Sequence, residues 1–301
     1  MEPSVREPII RTEQLTKNYG PNRGIESVDL EVFPGEVFGF LGPNGAGKTT
    51  FIRTVLDFLH PTSGRAMVFG LDSQKDSVSI KARVGNLPGE FTLDERMTGR
   101  ELIRFFARLR GVEDLSYADE LARRLDAELD RPMRRLSRGN KQKIGLVQAM
   151  FHRPPLLILD EPSGGLDPLV QEEFLRIVRE LRDQGHTIFF SSHILSEVER
   201  VCDRVGIIRE GRLVTVETIS SLLEKRFRRM HVRFAEPVGP EALEGVPGVI
   251  EVTANEAGLS LTFGSEVDAL LKVLAGHTVV DFEVDRPSLE EIFLTYYGGE
   301  S

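Results

Sequence analysis

Tryptophan is absent from the 301 residues, and cysteine occurs once, at Cys202. A single cysteine excludes an intramolecular disulfide and fits a reducing compartment. A chain of this length buries about 75% of its extended surface on folding, so its core needs neither disulfides nor a metal. No apolar run approaches the ~18 residues needed to cross a bilayer. The opening residues, Met1 to Ile10, are acidic and proline-bearing, without the apolar stretch of a signal peptide. These absences predict a cytosolic chain, with any membrane supplied by another polypeptide. Tandem repeats and low-complexity segments are also missing. At roughly 150 residues per domain, the length predicts about two domains.

Basic charge is scarce overall, with 38 Lys and Arg against 47 Asp and Glu, and it is unevenly spread. From Ile219 onward there are 14 acidic and 7 basic side chains, whereas Arg96 to Lys143 carries 13 basic and 8 acidic. The net charge of −9 argues against a nucleic-acid partner, because phosphate-backbone affinity comes from clustered Lys and Arg. The basic stretch reads as the solvated side of helices, with an anionic surface as the alternative. The cluster Lys225-Arg226-Phe227-Arg228-Arg229 likewise reads as a solvated linker, with lipid headgroups or a partner as the alternative.

Hydrophobic periodicity alternates between strand and helix. Ile9 to Leu15 and Val28 to Phe33 alternate as strands, with turns at Tyr19 to Asn22 and at Pro34-Gly35. Glu36 to Leu41 is a short apolar strand entering a glycine-rich loop. Phe51, Ile52, Val55, Leu56 and Leu59 then fall at helical spacing up to Pro61. Thr98 and Glu101 have the spacing of a capping box, ahead of a helix stopped by Gly111. Strands at Leu156 to Leu159 and Thr187 to Phe190 flank a helix from Pro168 to Gln184. A further helix spans Ile194 to Arg204, and a hairpin turns at Glu210-Gly211. This order predicts an α/β fold with a largely parallel sheet, a helical insert near residues 92–150, and a first domain over residues 1–218. Residues 219–301 read β-α-β-β-α-β: strands at Met230 to Phe234, Val249 to Thr253, Leu259 to Phe263 and Thr278 to Val284, helices at Glu241 to Leu243 and Glu266 to Leu274. A tail helix follows at Ser288 to Tyr297. That order predicts a small α+β, ferredoxin-like domain.

The chemistry concentrates in two motifs. Gly42-Pro43-Asn44-Gly45-Ala46-Gly47-Lys48-Thr49 fits G-x-x-x-x-G-K-[ST], a loop whose N–H groups cradle phosphate at a helix N-terminus. There Lys48 reaches the β- and γ-phosphates and the Thr49 hydroxyl serves Mg²⁺; a plain glycine turn is the alternative. Leu156 to Asp160 is an apolar strand ending in Asp160-Glu161. Asp160 suits a magnesium shell, and Glu161 suits the base that polarises water toward the γ-phosphate.

Between these motifs, Leu136-Ser137-Arg138-Gly139-Asn140 resembles the signature of the ATP-binding cassette (ABC) ATPases, usually Leu-Ser-Gly-Gly-Gln; read alone it is equally a helix N-cap. The resemblance covers residues 9 to about 218. It implies a P-loop NTPase (RecA-like) core with an antiparallel β subdomain. It also implies that Ser137, Arg138, Gly139 and Asn140 reach ATP held by a second subunit. Arg138 and Asn140 depart from the usual Gly and Gln. Tyr19 matches the aromatic that stacks on adenine, and Gly42 to Thr50 holds the phosphates. Asp167, in Ser163 to Pro168, matches the loop through which two cassettes communicate. His193 matches the switch histidine that contacts the γ-phosphate. Gly89 stands where the family has a magnesium-linked Gln, so Glu90 is the substitute candidate. Cys202, spaced with Val198, Val201 and Val205, reads as core rather than nucleophile.

The resemblance therefore implies an ATPase subunit of a transporter, using ATP and Mg²⁺, in a homodimer or heterodimer of cassettes. It further implies a separate integral-membrane permease, peripheral attachment to the inner face of the cell membrane, and export of drugs, antibiotics or lipids. A soluble ABC ATPase of translation or DNA repair is the rival, but those usually carry two cassettes or a long insert. A P-loop kinase for a small metabolite leaves Ser137-Arg138-Gly139 and His193 unexplained.

Overall fold

The computed structural model describes residues 6–20, 22–89, 96–224, 228–255, 258–264 and 267–285. Two compact units make up the chain, Met1–Glu217 and Thr218–Ser301.

In the first unit, β1 (Ile10–Tyr19) and β2 (Asn22–Val32) form a hairpin, followed by β3 (Val37–Leu41) and α1 (Lys48–Val55). Next come β4 (Ser63–Val68), β5 (Leu71–Asp72), α2 (Ser77–Arg83) and β6 (Val84–Leu87). The helical stretch comprises α3 (Gly99–Arg110), α4 (Ser116–Arg124) and α5 (Arg138–Met150). Alternation then resumes with β7 (Leu156–Asp160), α6 (Pro168–Asp183), β8 (Thr187–Ser192), α7 (Leu195–Val201), β9 (Arg204–Arg209) and β10 (Arg212–Thr218).

Two sheets organise these elements. One runs β2-β1-β4-β5 and is antiparallel, and the other runs β10-β9-β3-β8-β7-β6. In the second, β9, β3, β8, β7 and β6 pair in parallel. Every residue of β3, β7 and β8 is buried, which explains why their apolar residues fall consecutively (Val37 to Leu41, Leu156 to Leu159, Ile188 to Phe190) rather than alternating. Phe40 on β3, Phe51 on α1 and Phe189 on β8 meet with ring centroids 4.8 to 5.8 Å apart. Such aromatic contacts add about 0.5–1.5 kcal/mol each beyond burial, and here they anchor α1 on the sheet. The loop before α1 is thereby fixed at the C-terminal ends of the parallel strands, where open α/β sheets bind ligands.

Local signals set several boundaries. Thr98 and Glu101 form the reciprocal capping box, and Gly111 closes α3 at φ 66°. Glu210 and Gly211 both take positive φ, as a tight hairpin turn requires. Two helices are shorter than their apolar spacing predicts. The one carrying Phe51 stops at Val55, because Asp57 turns left-handed (φ 54°) before Pro61 is reached. The one expected to reach Arg204 stops at Val201, since Arg204 already pairs with Phe38 in β9.

The second unit holds α8 (Ile219–Glu224), β11 (Arg228–Phe234), β12 (Val249–Asn255), β13 (Gly258–Phe263), α9 (Asp268–Leu274) and β14 (Val279–Asp285). Its antiparallel sheet runs β12-β13-β11-β14, so both crossovers skip a strand, as in a ferredoxin-like fold. Met230, Val232, Leu259, Leu261 and Phe263 form its core with Leu243, Leu270 and Leu274. The helix expected at Glu241 to Leu243 is a 3-10 turn at Pro240–Ala242, started by the proline. Lys225 to Phe227, Glu266 and the tail helix at Ser288 to Tyr297 lie outside the described residues.

Candidate phosphate-binding site

The loop from Gly42 to Gly47 leaves β3 and re-enters α1 through two left-handed glycines, Gly45 (φ 80°) and Gly47 (φ 108°). A Cβ at Gly47 would also stand 2.8 Å from the Gly24 carbonyl oxygen, so this position has room only for glycine. Gly47 caps α1 without any side-chain hydrogen bond, which leaves the first-turn N–H groups to an external acceptor. Lys48, 5% exposed, donates through Nζ to the Gly42 carbonyl (2.6 Å) and the Pro43 carbonyl (3.1 Å). These bonds draw the ammonium back over the loop. Ala46 is buried beneath it, and its carbonyl accepts the Gly211 N–H at 2.9 Å.

Across the loop stands the end of β7. Asp160 is 1% exposed and has a hydroxyl donor on each oxygen: Thr49 Oγ1 on Oδ2 (2.7 Å) and Ser191 Oγ on Oδ1 (2.5 Å). A hydroxyl and a carboxylate converging in this way form an oxygen donor set suited to Mg²⁺. Glu161 leaves the strand with φ 48°, and its N–H donates to the Ser191 carbonyl at 3.2 Å. Its carboxylate is shared: Oε1 lies 3.2 Å from Lys48 Nζ and Oε2 lies 3.2 Å from His193 Nδ1. The left-handed backbone of a non-glycine residue costs of order 1–3 kcal/mol and persists only where the surroundings hold it. Gln142 of α5 is one such holder, since its amide donates to the Glu161 carbonyl (3.3 Å) and the Pro162 carbonyl (3.0 Å).

Tyr19, Gly24, Asn44, Gly45, Gly47, Lys48, Thr49, Thr50 and Glu161 line one open cleft of about 220 Å³. Tyr19 is 43% exposed, so a ring face is accessible, and Lys17 Nζ lies 5.8 Å from its centroid. Gly24 admits the ring: a Cβ there would meet Tyr19 Cε2 at 2.9 Å and Thr50 Cγ2 at 3.1 Å. The sequence signals missed Gly24, Gln142 and Ser191, and the last two act across separations of 19 to 31 residues.

The signature residues stand elsewhere. Ser137 caps α5 by accepting the Asn140 N–H, and Asn140 Oδ1 accepts the Glu128 N–H at 2.9 Å. Gly139 lies against the Gly165 carbonyl, 2.4 Å from where a Cβ would sit. Asp167 caps α6, accepting the Val170 N–H at 3.1 Å, with Lys143 Nζ 3.7 Å away. The Val170 N–H, aided by Lys143, holds the Asp167 carboxyl below the usual carboxylate range. Ser137, Arg138, Gly139, Asn140 and Asp167 do not line the cleft. Gly89 approaches Asp160, whose Oδ2 is 3.0 Å from a Cβ built there, while Glu90 lies outside the described residues. Cys202 is buried, and burial pushes its thiol up, away from nucleophile chemistry.

Residues 25–164 match the ABC transporter family, and residues 222–297 match the family described as ATP-binding protein DrrA1-3-like, C-terminal domain. The chain is 40% identical over 227 residues to the bacitracin transport ATP-binding protein BcrA of Bacillus licheniformis, spanning 73% of each protein. It is 33% identical to the daunorubicin resistance ATP-binding protein DrrA3 of Streptomyces coeruleorubidus, over 97% of this chain and 96% of that one. Among solved structures, an ATP-binding subunit of an ABC transporter aligns with TM-score 0.66 and 30% identity, over 71% of this chain and 91% of that one. A dimeric bacterial ABC transporter cassette shares the fold at TM-score 0.65 and 20% identity, over 70% of this chain and 98% of that one.

Proposed function

The chain belongs to the family of ABC transporter ATP-binding subunits, and on that premise we propose an exporter subunit that drives a separate membrane chain as an ATP-bridged dimer. It is an ATPase, converting ATP and water to ADP and phosphate. The observation that carries the site assignment is the Glu161 carboxylate, held between Lys48 and His193 at the edge of the glycine-loop cleft.

In this reading Tyr19 stacks on the adenine, and the N–H groups from Gly42 to Thr50 bind the phosphates. Lys48 neutralises the β- and γ-phosphates. Thr49 and Asp160 hold Mg²⁺, which when bound offsets phosphate charge. Glu161 takes the proton from the attacking water, and His193 orients that water toward the γ-phosphate. Ser137 and Gly139, with Arg138 and Asn140 beside them, contact ATP held by the second cassette. Asp167 belongs to the loop that reports between the two sites, and Glu90, outside the described residues, would serve Mg²⁺ in place of the missing glutamine.

The relatives named for bacitracin transport and daunorubicin resistance support a drug or antibiotic as cargo and an integral-membrane permease as partner. Among the described residues no helix is long and apolar enough to cross a membrane. In this reading the permease holds the chain at the inner membrane face. Residues 1–218 form the nucleotide-binding domain and 219–301 an accessory domain. Homodimer and heterodimer differ only in whether a second copy supplies Ser137. The test is co-expression with the candidate permease in a drug-sensitive host. The chain should sediment with membranes only in the presence of the permease, and resistance should vanish in the Glu161→Gln variant. Membrane-free chain with unchanged resistance refutes the exporter assignment.

A further inference from the structure

His193 sits in the two-residue corner between β8 and α7, and a buried acid braces that corner. Ser192, the last residue of β8, is buried, and its carbonyl accepts the Gly42 N–H of the glycine loop at 3.3 Å. The Ser192 hydroxyl reaches over the corner: Oγ accepts the Ile194 N–H at 2.9 Å and donates to Glu197 Oε2 at 2.9 Å. Glu197 lies in the first turn of α7 and is only 6% exposed. Its second oxygen, Oε1, is buried with no hydrogen-bond partner.

A buried acid with one oxygen unused is costly, so the position demands an explanation. Core packing alone does not supply one, because an apolar residue fills such a place at lower cost. The single bond it makes goes to the hydroxyl that fixes the backbone on both sides of His193. We propose that Glu197 is a positioning residue for ATP hydrolysis: by orienting the Ser192 hydroxyl it fixes the corner from which His193 reaches the γ-phosphate. This rests on the assignment of His193 made above. Glu197 is not among the residues that line the cleft. Its effect passes through Ser192 to the direction of the imidazole, whose Nδ1 stands 3.2 Å from the Glu161 carboxylate. A misplacement of about 1 Å in a reacting group costs on the order of 100-fold in rate, so a loosened corner is costly.

The experiment measures kcat and KM for ATP, with thermal unfolding, for the full chain and five variants: H193A, S192A, E197L, E197Q and H193A/E197L. E197L and S192A should lower kcat about tenfold or more while leaving KM within about twofold. E197Q should restore most of the rate, because its amide oxygen still accepts the Ser192 hydroxyl. In the H193A background, E197L should cost nothing further, since its action runs through the imidazole. An equal loss from E197L in both backgrounds, or wild-type kcat in a folded E197L, overturns the proposal. Should E197L fail to fold, S192A with and without H193A decides by the same criteria. Wild-type turnover in H193A would instead sink the histidine assignment beneath it.

Discussion

The Lys48 ammonium and the Glu161 carboxylate stand 3.2 Å apart, joining the glycine loop to the end of β7 across the cleft. A phosphate entering the loop competes with Glu161 for that ammonium. In the proposed mechanism the released carboxylate keeps His193 as its neighbour and is the group that polarises the attacking water. The proposed mechanism therefore couples ligand binding to base activation through one shared cation.

That coupling separates two variants. Glu161→Gln removes the base and the competitor together, so ATP binding should be retained or strengthened while phosphate release falls by roughly 100-fold or more. Lys48→Ala removes a charge-assisted partner of the phosphates, worth about 1.5–3 kcal/mol, so ATP affinity should fall about tenfold or more. Fluorescent-nucleotide titration beside a phosphate-release assay distinguishes them. Near-normal turnover in Glu161→Gln would show that another group is the base.

Gly47→Ala tests the loop itself. The new methyl would lie 2.8 Å from the Gly24 carbonyl oxygen and sit on a backbone at φ 108°. Left-handed strain of this kind costs of order 1–3 kcal/mol, and the loop can relieve it only by moving its N–H groups off the phosphate position. The variant should stay folded by circular dichroism and lose nucleotide binding. Wild-type affinity in Gly47→Ala would refute the cradle geometry.

Acid sensitivity should trace in part to His152. Burial, aided by Arg110, lowers its pKa from 6.5 to about 4, so the folded protein holds a neutral ring. Between those values the unfolded chain binds the extra proton. Stability from this group is therefore intact above pH 6.5 and is lost as pH falls toward 4. His152→Phe should flatten the fall in unfolding free energy between about pH 6.5 and 5, measured by urea titration against the wild type. Parallel curves for the two proteins would exclude His152 as the proton site.

How much of this was readable in advance depended on how local each signal is. The glycine loop, the Thr98–Glu101 box and the buried runs of β3, β7 and β8 are written in consecutive residues, and the structure reproduces them. Gln142 gripping the Glu161 and Pro162 carbonyls, 19 and 20 residues away, leaves no trace in spacing. The same holds for Ser191 on Asp160, 31 residues apart. β4, β5 and α2 escaped the periodicity reading; β4 exposes its first three residues and never alternates cleanly. Asp167 and Asn140 illustrate a different limit. Each matches a family motif, yet each also caps or ties a local turn, and one chain by itself presents only that second role.

The bridging role of Ser137 and Gly139 needs a second cassette. Neither lines the cleft of its own chain, so ATP must meet them from across an interface if they contact it at all. The slow Glu161→Gln variant should therefore double its mass with ATP and Mg²⁺ and stay monomeric with ADP, by light scattering. Ser137→Ala in that background should weaken dimerisation but not nucleotide binding by the monomer. One mass in both nucleotide states would favour a different cassette as partner.

The second unit should be dispensable for nucleotide binding. The described residues that line the glycine-loop cleft run from Tyr19 to Glu161, and the segment from Ile219 onward carries 14 acidic against 7 basic side chains, a poor setting for phosphate. It also has its own apolar core around Met230, Leu261 and Phe263, so it does not depend on the cleft for its folding. A chain ending near Thr218 should bind ATP through Tyr19 and Lys48 with affinity close to that of the full chain. What should change is the nucleotide-dependent dimerisation or the stimulation of hydrolysis by the membrane partner, because those are the tasks left for an accessory domain. Calorimetric titration of ATP into the folded truncation reads the first quantity, and light scattering reads the second. A truncation that is folded by circular dichroism yet shows no heat of ATP binding would place part of the nucleotide site beyond residue 218 and overturn this division of labour.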